Sequence, residues 1–391
     1  MRIGLVGPIN PAEFGSFFPN CDVPKMNLNA SSVQALVKSY LDDGHTVSIF
    51  TTNENNIYQE FTSEQLKVYA VPYRWIPRTS ILQVYKVVQL KKAIQTHLNE
   101  LDVLHAQWTY EYAYAAKAFA NQIPVFCTVR DWCPYIMKMV SRTFLGAFGW
   151  RIKYYMFRRV MANNDIHFIA NSHYTYQRIK TDYPDKEVAI IPNSIKKEYI
   201  LTKRKNVPNS IRLITIANGI FDPRKNLVTL LRAFKRFREQ YSEASLTIVG
   251  RFSETHPDYV KWKEDGLFDD VVTTGQLSHE GVIDQIDAST MLIHPSLEET
   301  FGNILLEAMA RRVPVIGGVE SGAVPMVLGH GKYGVCCDVS NPNEILKAIQ
   351  LLLDENKAIE VVDAATEHLQ STYASDVVCY NHIKLFQRYV K

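Results

Sequence analysis

Short apolar, β-branched runs alternate with helical patterns along the chain, and the alternation breaks once and restarts. The first series is RIGLV (2–6), HTVSIF (45–50), LKVYAV (66–71), DVLH (102–105), IPVFCTV (123–129) and DIHFIA (165–170), with VAIIP (188–192) closing it. Runs of this kind, each followed by a helical stretch such as 30–44 with its Gly stop, predict buried parallel strands in a doubly wound α/β sheet. The polar, basic stretch 196–210 reads as a linker. After it come IRLITIA (211–217), ASLTIVG (244–250), DVVTTG (270–275), TMLIHP (290–295), VPVIGG (313–318) and YGVCC (333–337). Between the first two of these, Leu227, Leu230, Leu231, Phe234, Phe237 and Tyr241 fall on one helical face. The expectation is two α/β domains, 1–200 and 201–376. The final helix signal, 377–391, could pack on either.

Composition excludes several other classes. The chain has 391 residues, 47% of them hydrophobic and 21% charged, with a net charge of +3. That is ordinary globular usage, and it rules out a disordered tail, a collagen-like rod or a disulfide scaffold. The six Cys are scattered, without a C-x-x-C pair or zinc spacing. The opening MRIGLVGPIN lacks the pattern of a secretory leader, and no run of about 18 apolar residues could span a bilayer. The expected compartment is the cytoplasm.

Chemistry concentrates in the second half. In His294-Pro295-Ser296-Leu297-Glu298-Glu299-Thr300-Phe301-Gly302-Asn303-Ile304-Leu305-Leu306-Glu307-Ala308-Met309-Ala310 a strand ends at His294 and a helix begins near Gly302. Amides at Thr300–Asn303, with the positive end of the helix dipole, would form an anion site suited to a pyrophosphate. Glu307, inside that helix, could accept from two neighbouring hydroxyls such as a ribose diol. The bland alternative is an acidic loop beside a core helix. Asn218-Gly219-Ile220-Phe221-Asp222-Pro223-Arg224-Lys225-Asn226 also follows a strand and precedes a helix. A Lys there aims a cation over the strand ends. Its alternative is a solvated Arg-Lys pair.

With its flanks, P-S-x-x-E-x-F-G followed by L-L-E-A-M-A resembles the retaining glycosyltransferases of family 4, which have the GT-B fold. The resemblance is dense over 211–340 and thinner before that. Lys225 matches the Lys of the family's phosphate-binding turn. The family's Arg falls at Ile220 here, with Arg224 as a substitute. Gly250-Arg251 resembles the family's turn near the nucleotide base, and Ser321-Gly322-Ala323 a later glycine-rich loop. Gly7 and Pro8, with Gly15 beyond, look like the acceptor-side loop. His105-Ala106-Gln107-Trp108 resembles H-x-H-W with Gln107 in place of the second His. Arg130 stands where many relatives carry a His on the catalytic side.

The resemblance implies two Rossmann-like domains facing across a cleft, the first for the acceptor and the second for the donor, with 377–391 returning to the first domain. It implies retaining sugar transfer from a nucleotide-diphosphate sugar, UDP- or GDP-linked, to a glycan or lipid-linked glycan, with no metal or other cofactor. Lys225, Arg224, Glu299, His105 and Arg130 would then serve catalysis. Asn218, Gly250, Arg251, Thr300, Phe301, Gly302, Asn303, Ile304 and Glu307 would hold the donor. A non-catalytic nucleotide-sugar-binding protein and an epimerase of the same fold are the alternatives.

Residues 130–160 hold seven basic residues against one acid, Asp131, with eight aromatics interleaved, Phe144, Phe148, Trp150, Tyr154, Tyr155 and Phe157 among them. Such a helix can lie on an anionic bilayer, here the inner face of a membrane, or can simply be a core helix with a solvated basic face. No nucleic-acid-binding motif accompanies it, so nucleic acid is not an expected partner.

Overall fold

A computed structural model of the chain describes residues 1–26, 30–53, 57–72, 81–140 and 144–390. The chain divides into two compact units, Met1–Ser194 with Ser375–Lys391, and Ile195–Ala374. The division falls at 194/195, earlier than the expected 200/201. Ile195 bridges to Ala374, and the Leu201 amide donates to the Ala310 carbonyl at 2.9 Å. The stretch expected to be a linker is therefore part of the second unit.

Among the described residues the strands of the first unit are β1 (Arg2–Val6), β2 (Thr46–Asn53), β3 (Gln59–Thr62), β4 (Leu66–Pro72), β5 (Val103–Gln107), β6 (Val125–Val129), β7 (Ile166–Ala170) and β8 (Val188–Ile190). They form one sheet in the order β3-β4-β2-β1-β5-β6-β7-β8, parallel except for β3. Sequence reading missed β3, whose QEFT has no apolar run and whose pattern is half exposed. Successive side chains in a strand go to opposite faces. Ile3, Leu5 and Phe126 accordingly join one apolar cluster, and Val6, Val125, Cys127 and Val129 the other. The helix Ser375–Phe386 seals the first of these with Val378, Cys379, Ile383 and Phe386. Phe386 is fully buried, with its ring 4.4 Å from that of Phe126. Burying a side chain of that size contributes on the order of 2 kcal/mol.

The second unit holds β9 (Arg212–Ile216), β10 (Ser245–Val249), β11 (Val271–Gly275), β12 (Met291–His294), β13 (Val315–Gly318) and β14 (Val335–Cys337). They form a parallel sheet in the order β11-β10-β9-β12-β13-β14. The helix Leu227–Arg238 buries Leu227, Leu230, Leu231, Phe234 and Phe237 as its periodicity predicts. Among the described residues no helix is long and apolar enough to cross a membrane.

Candidate active site

Both sheets reverse their strand order once, β1 against β5 and β9 against β12. In an open parallel sheet the crevice outside the carboxyl ends at such a point is where ligands bind. In the second unit the loop after β9 carries Lys225, and the loop after β12 carries Glu299.

Lys225 is held by its own turn. Pro223–Lys225 is one turn of 3₁₀ helix, capped by Asp222, whose carboxylate accepts from the Arg224 amide at 2.9 Å. Asn226 ends the turn with φ +51° and donates its amide to the carbonyls of Pro295 (3.2 Å) and Val339 (2.8 Å). The Arg224 carbonyl accepts from the Leu297 amide at 2.7 Å. The two loops are thus stitched together, and the Lys225 ammonium reaches the Glu299 carboxylate as a hydrogen-bonded ion pair. His294, 3% exposed, brings Nε2 to 3.3 Å from the same Glu299 oxygen. Burial alone would raise the Glu299 pKa. The Lys225 ammonium, and then His294, hold it well below the usual carboxylate range.

Glu299 is fixed from its backbone side as well. Its segment bridges to Gly322, and its carbonyl accepts from the Ala323 amide at 2.9 Å. Gly322 has φ +66°, and a Cβ there would lie 2.3 Å from the Glu299 carbonyl oxygen, so only glycine fits. The expected glycine-rich loop therefore buttresses the acidic loop.

The helix Asn303–Ala310 starts from Gly302, which has no side chain to cap it. Phe301, 2% exposed, anchors this start edge-on against Tyr373 with ring centres 5.8 Å apart. Thr300, Gly302, Asn303 and Ile304 are half-buried around it. Glu307 is buried one turn further, and its Oε1 lies 3.1 Å from His279 Nε2.

The remaining expected donor residues stand at neighbouring strand ends. Asn218 and Arg251 are exposed after β9 and β10. Gly250, with φ +153°, lets the backbone approach Ala217, whose oxygen would be 1.9 Å from a Cβ. Two expectations change. Ile220, at the family's Arg position, is 2% exposed within the apolar cluster of this unit. Arg224 does not point its charge freely into the site. It binds Asp222 through Nε and Nη2, the latter at 2.6 Å, and lies 3.9 Å from Glu298. Against the push of burial, the Arg224 hydrogen bonds hold the Asp222 carboxyl below its ordinary value. Arg224 is a brace for the Lys225 turn.

In the first unit, Gly7 follows β1 and packs its backbone against Gln107 at the end of β5. Pro8 is half-buried, and Gly15 lies in the 3₁₀ stretch Pro11–Phe17 with open space at its Cβ position. Arg130 follows β6. It donates from Nε to Gln107 at 2.7 Å, and from Nη1 to Asn193 at 2.7 Å and Ser32 at 3.0 Å. Its guanidinium lies over Trp108, 5.5 Å from the ring centre, and burial pulls its pKa down to about 10. His105 is placed differently from the expectation of a catalytic group. It is 0% exposed and enclosed by Tyr40 (3.2 Å), Thr128 (2.8 Å) and Gln107 (3.1 Å), with the His382 ring 5.1 Å away. It ties the sheet to the helix Ser375–Phe386.

Sequence reading passed over His279, His294 and Asp222 as functional residues. Asp222 carries a legible signal, an Asp just before Pro in a cap position. His279 and His294 carry none, because a lone His beside a strand has no periodicity or spacing to mark its partner.

The basic aromatic segment is two helices, Cys133–Val140 and Phe144–Met161. Arg130 is buried at the strand ends and does not belong to their outer face. Phe157 is fully buried, and Trp150 and Tyr154 pack on the core. Arg142 and the Phe144 side chain lie outside the described residues. What faces outward is Phe148, Arg151, Tyr155, Arg158 and Arg159, one stripe at helical spacing. Tyr155 meets Tyr114 at 6.4 Å, and Lys91 and Lys117 lie over that ring at 5.5 and 5.8 Å. Val84, Tyr85 and Val88 on the helix Ile81–His97 are exposed too.

The chain matches Glycosyltransferase Family 4 over residues 30–199 and Glycosyl transferases group 1 over residues 200–368. It is 24% identical over 374 residues to an N-acetyl-alpha-D-glucosaminyl L-malate synthase of Bacillus anthracis, covering 88% of this chain and 89% of that one. It is 22% identical over 371 residues to the GPI3 subunit of a phosphatidylinositol N-acetylglucosaminyltransferase of Saccharomyces cerevisiae, covering 91% and 77%. Among solved structures, a sucrose-phosphate synthase from Thermosynechococcus elongatus superposes with a TM-score of 0.75 at 17% identity, over 99% of this chain and 98% of that one. Two consecutive family matches, one on each doubly wound half, make this chain a glycosyltransferase of GT-B fold that belongs to family 4.

Proposed function

We propose that the chain transfers a hexose from a nucleotide-diphosphate sugar to a glycan or lipid-linked glycan, with retention of anomeric configuration and without a metal. One arrangement carries this reading: the Lys225–Glu299 pair beside a helix that starts from Gly302, a residue with no side chain, all at the switch point of the second sheet. A diphosphate there takes the Lys225 ammonium and the amides of Phe301–Ile304. Glu299, released from its cation, accepts from sugar hydroxyls, and Glu307 accepts from the ribose. Negative charge grows on the leaving phosphate as the glycosidic bond breaks. Fixed donors already aimed at it lower the barrier without reorganising, and they supply the positive charge a metal would otherwise bring. On the first unit, the Gly7–Pro8 loop and Arg130 line the acceptor side. The test is a thermal-shift panel of uridine, guanosine and adenosine diphosphate sugars, followed by mass spectrometry of acceptor and donor in the presence of a chelator. A stabilising donor and a mass-shifted acceptor are expected. An isomerised free donor with no shifted acceptor would mean an epimerase, and no donor effect at all would end the proposal.

We further propose that the enzyme works at the cytoplasmic face of an anionic membrane, through the Phe148–Arg159 stripe. Two exposed rings can enter the headgroup layer while the arginines meet lipid phosphates. The yeast relative's name includes phosphatidylinositol, in keeping with an acceptor held in lipid. Each surface cation is worth about 1 kcal/mol at such a membrane. The double substitution Arg158→Gln/Arg159→Gln is expected to weaken binding to phosphatidylglycerol vesicles about 30-fold at low salt. Sedimentation with anionic and with neutral vesicles measures this, and equal binding to both would overturn it.

A further inference from the structure

The helix His279–Asp287 begins just beyond the carboxyl end of β11, with Ser278 as its cap. This places His279 at the helix start, between two polar partners. Its Nε2 lies 3.1 Å from Glu307 Oε1, and its Nδ1 lies 3.4 Å from the Tyr199 hydroxyl. The Tyr199 ring faces the imidazole, centres 5.6 Å apart and planes 30° from parallel. Tyr199 itself sits in the 3₁₀ turn Lys197–Tyr199, in the stretch that opens the second unit. With its proton on Nε2, the imidazole donates to the carboxylate and accepts from the phenol, so one tautomer satisfies both partners.

A Glu side chain has three rotatable bonds, and holding it in one rotamer costs free energy. A cis-diol donates to both oxygens of one carboxylate only when the carboxylate is held in a fixed orientation. The Glu307 side chain is 8% exposed, so little water is present to orient it. We infer that His279, backed by Tyr199, is the positioning residue that presents Glu307 to a ribose diol, and that it thereby makes the enzyme discriminate ribonucleotides from 2′-deoxyribonucleotides. The inference rests on the reading of Glu307 as the ribose acceptor.

The test is calorimetric binding of UDP, GDP and ADP, each against its 2′-deoxy form, to the full chain and to variants. For the base that binds, the wild type is expected to favour the ribonucleotide about 10- to 100-fold, the worth of a hydrogen bond to a charged group. His279→Leu is expected to reduce that preference to less than about threefold. His279→Gln, whose amide can still donate, retains most of it, and Tyr199→Phe falls between. A merely structural role for His279 would lower both affinities together and leave their ratio unchanged, and that result overturns the inference. Glu307→Gln separates the two layers. If it leaves the ratio intact, the reading of Glu307 is wrong. If it collapses the ratio and His279→Leu does not, only the positioning role fails. Melting temperatures of all variants identify any that fail to fold; if His279→Leu is one of them, Tyr199→Phe carries the comparison, and an unchanged ratio in it overturns the inference.

Discussion

Lys225→Ala is expected to lower kcat/KM for sugar transfer by about 10²- to 10³-fold, the usual loss when one preorganised donor to a developing anion is removed. Most of the loss should fall on kcat, because the leaving phosphate is more negative in the transition state than in the bound donor. The free enzyme keeps the ammonium on Glu299, so the donor must displace a carboxylate to reach it. The same substitution strands the Glu299 carboxylate, 18% exposed, with its closest cation gone and His294 and the Arg224 charge left near it. Its pKa should rise from its depressed value, and the unit should lose some stability near neutral pH. Two controls separate the effects. Lys225→Arg keeps the charge but not the point geometry, and it should recover stability while recovering little activity. Lys225→Ala/Glu299→Gln removes the stranded charge, and it should restore the melting temperature without restoring turnover. Steady-state kinetics on the donor found by the panel measures this, and turnover within about fivefold of wild type in Lys225→Ala would remove Lys225 from the mechanism.

What could be read in the sequence were the features whose physics is local. Apart from the antiparallel β3, the strands of both sheets begin and end within three residues of the apolar runs that predict them, because a buried parallel strand must be apolar on both faces. The turn at Lys225 and the helix start at Gly302 were legible for the same reason, since each is set by residues adjacent in the chain. What could not be read were partners brought together by the sheet order. Arg224 sits beside Lys225, yet Asp222 and Glu298 decide where its charge goes. His105 closes the apolar run 102–105 as a catalytic His might, but it lies inside β5, where Tyr40, Thr128 and His382 approach it from elements 65, 23 and 277 residues away by position number. The stripe on Phe144–Met161 needed the helix phase, which divides its aromatics into two that face out and others that pack in. The stretch 196–210 has the composition of a linker, and its backbone bond to Ala310, with the Tyr199–His279 and Arg204–Thr290 contacts, shows it to be built into the second unit.

That buried His105–His382 pair leads to the second large effect, a loss of stability on mild acidification. His382 is 3% exposed, donates from Nδ1 to the Val378 carbonyl at 2.9 Å, and packs on Tyr40 and Phe386. A neutral ring must be the donor there. Burial pulls its pKa down to about 4, with the Arg130 charge adding to the effect after the opposing Val378 bond. His105 is shifted well below its ordinary value by burial, then by His382 and Arg130. In the unfolded chain both titrate near 6.5. Above that pH neither state binds the protons, and the native state keeps its full stability. As the pH falls from about 6.5 towards 4, the unfolded chain takes up protons that the native interior refuses, so unfolding becomes more favourable. For His382 alone the loss across that window is roughly 3 kcal/mol. His45, His167 and His368, also lowered by burial, act in the same direction, so the comparison must isolate one site. His382→Phe does so, keeping an aromatic ring among Tyr40 and Phe386 while removing the titrating group. The variant should be less stable at pH 7.5, where the Val378 bond is lost, but its stability should fall less between pH 7 and 5. Urea midpoints of both proteins at those pH values decide the matter: equal slopes would mean that the His382 imidazole takes up its proton in the folded chain as readily as in the unfolded one.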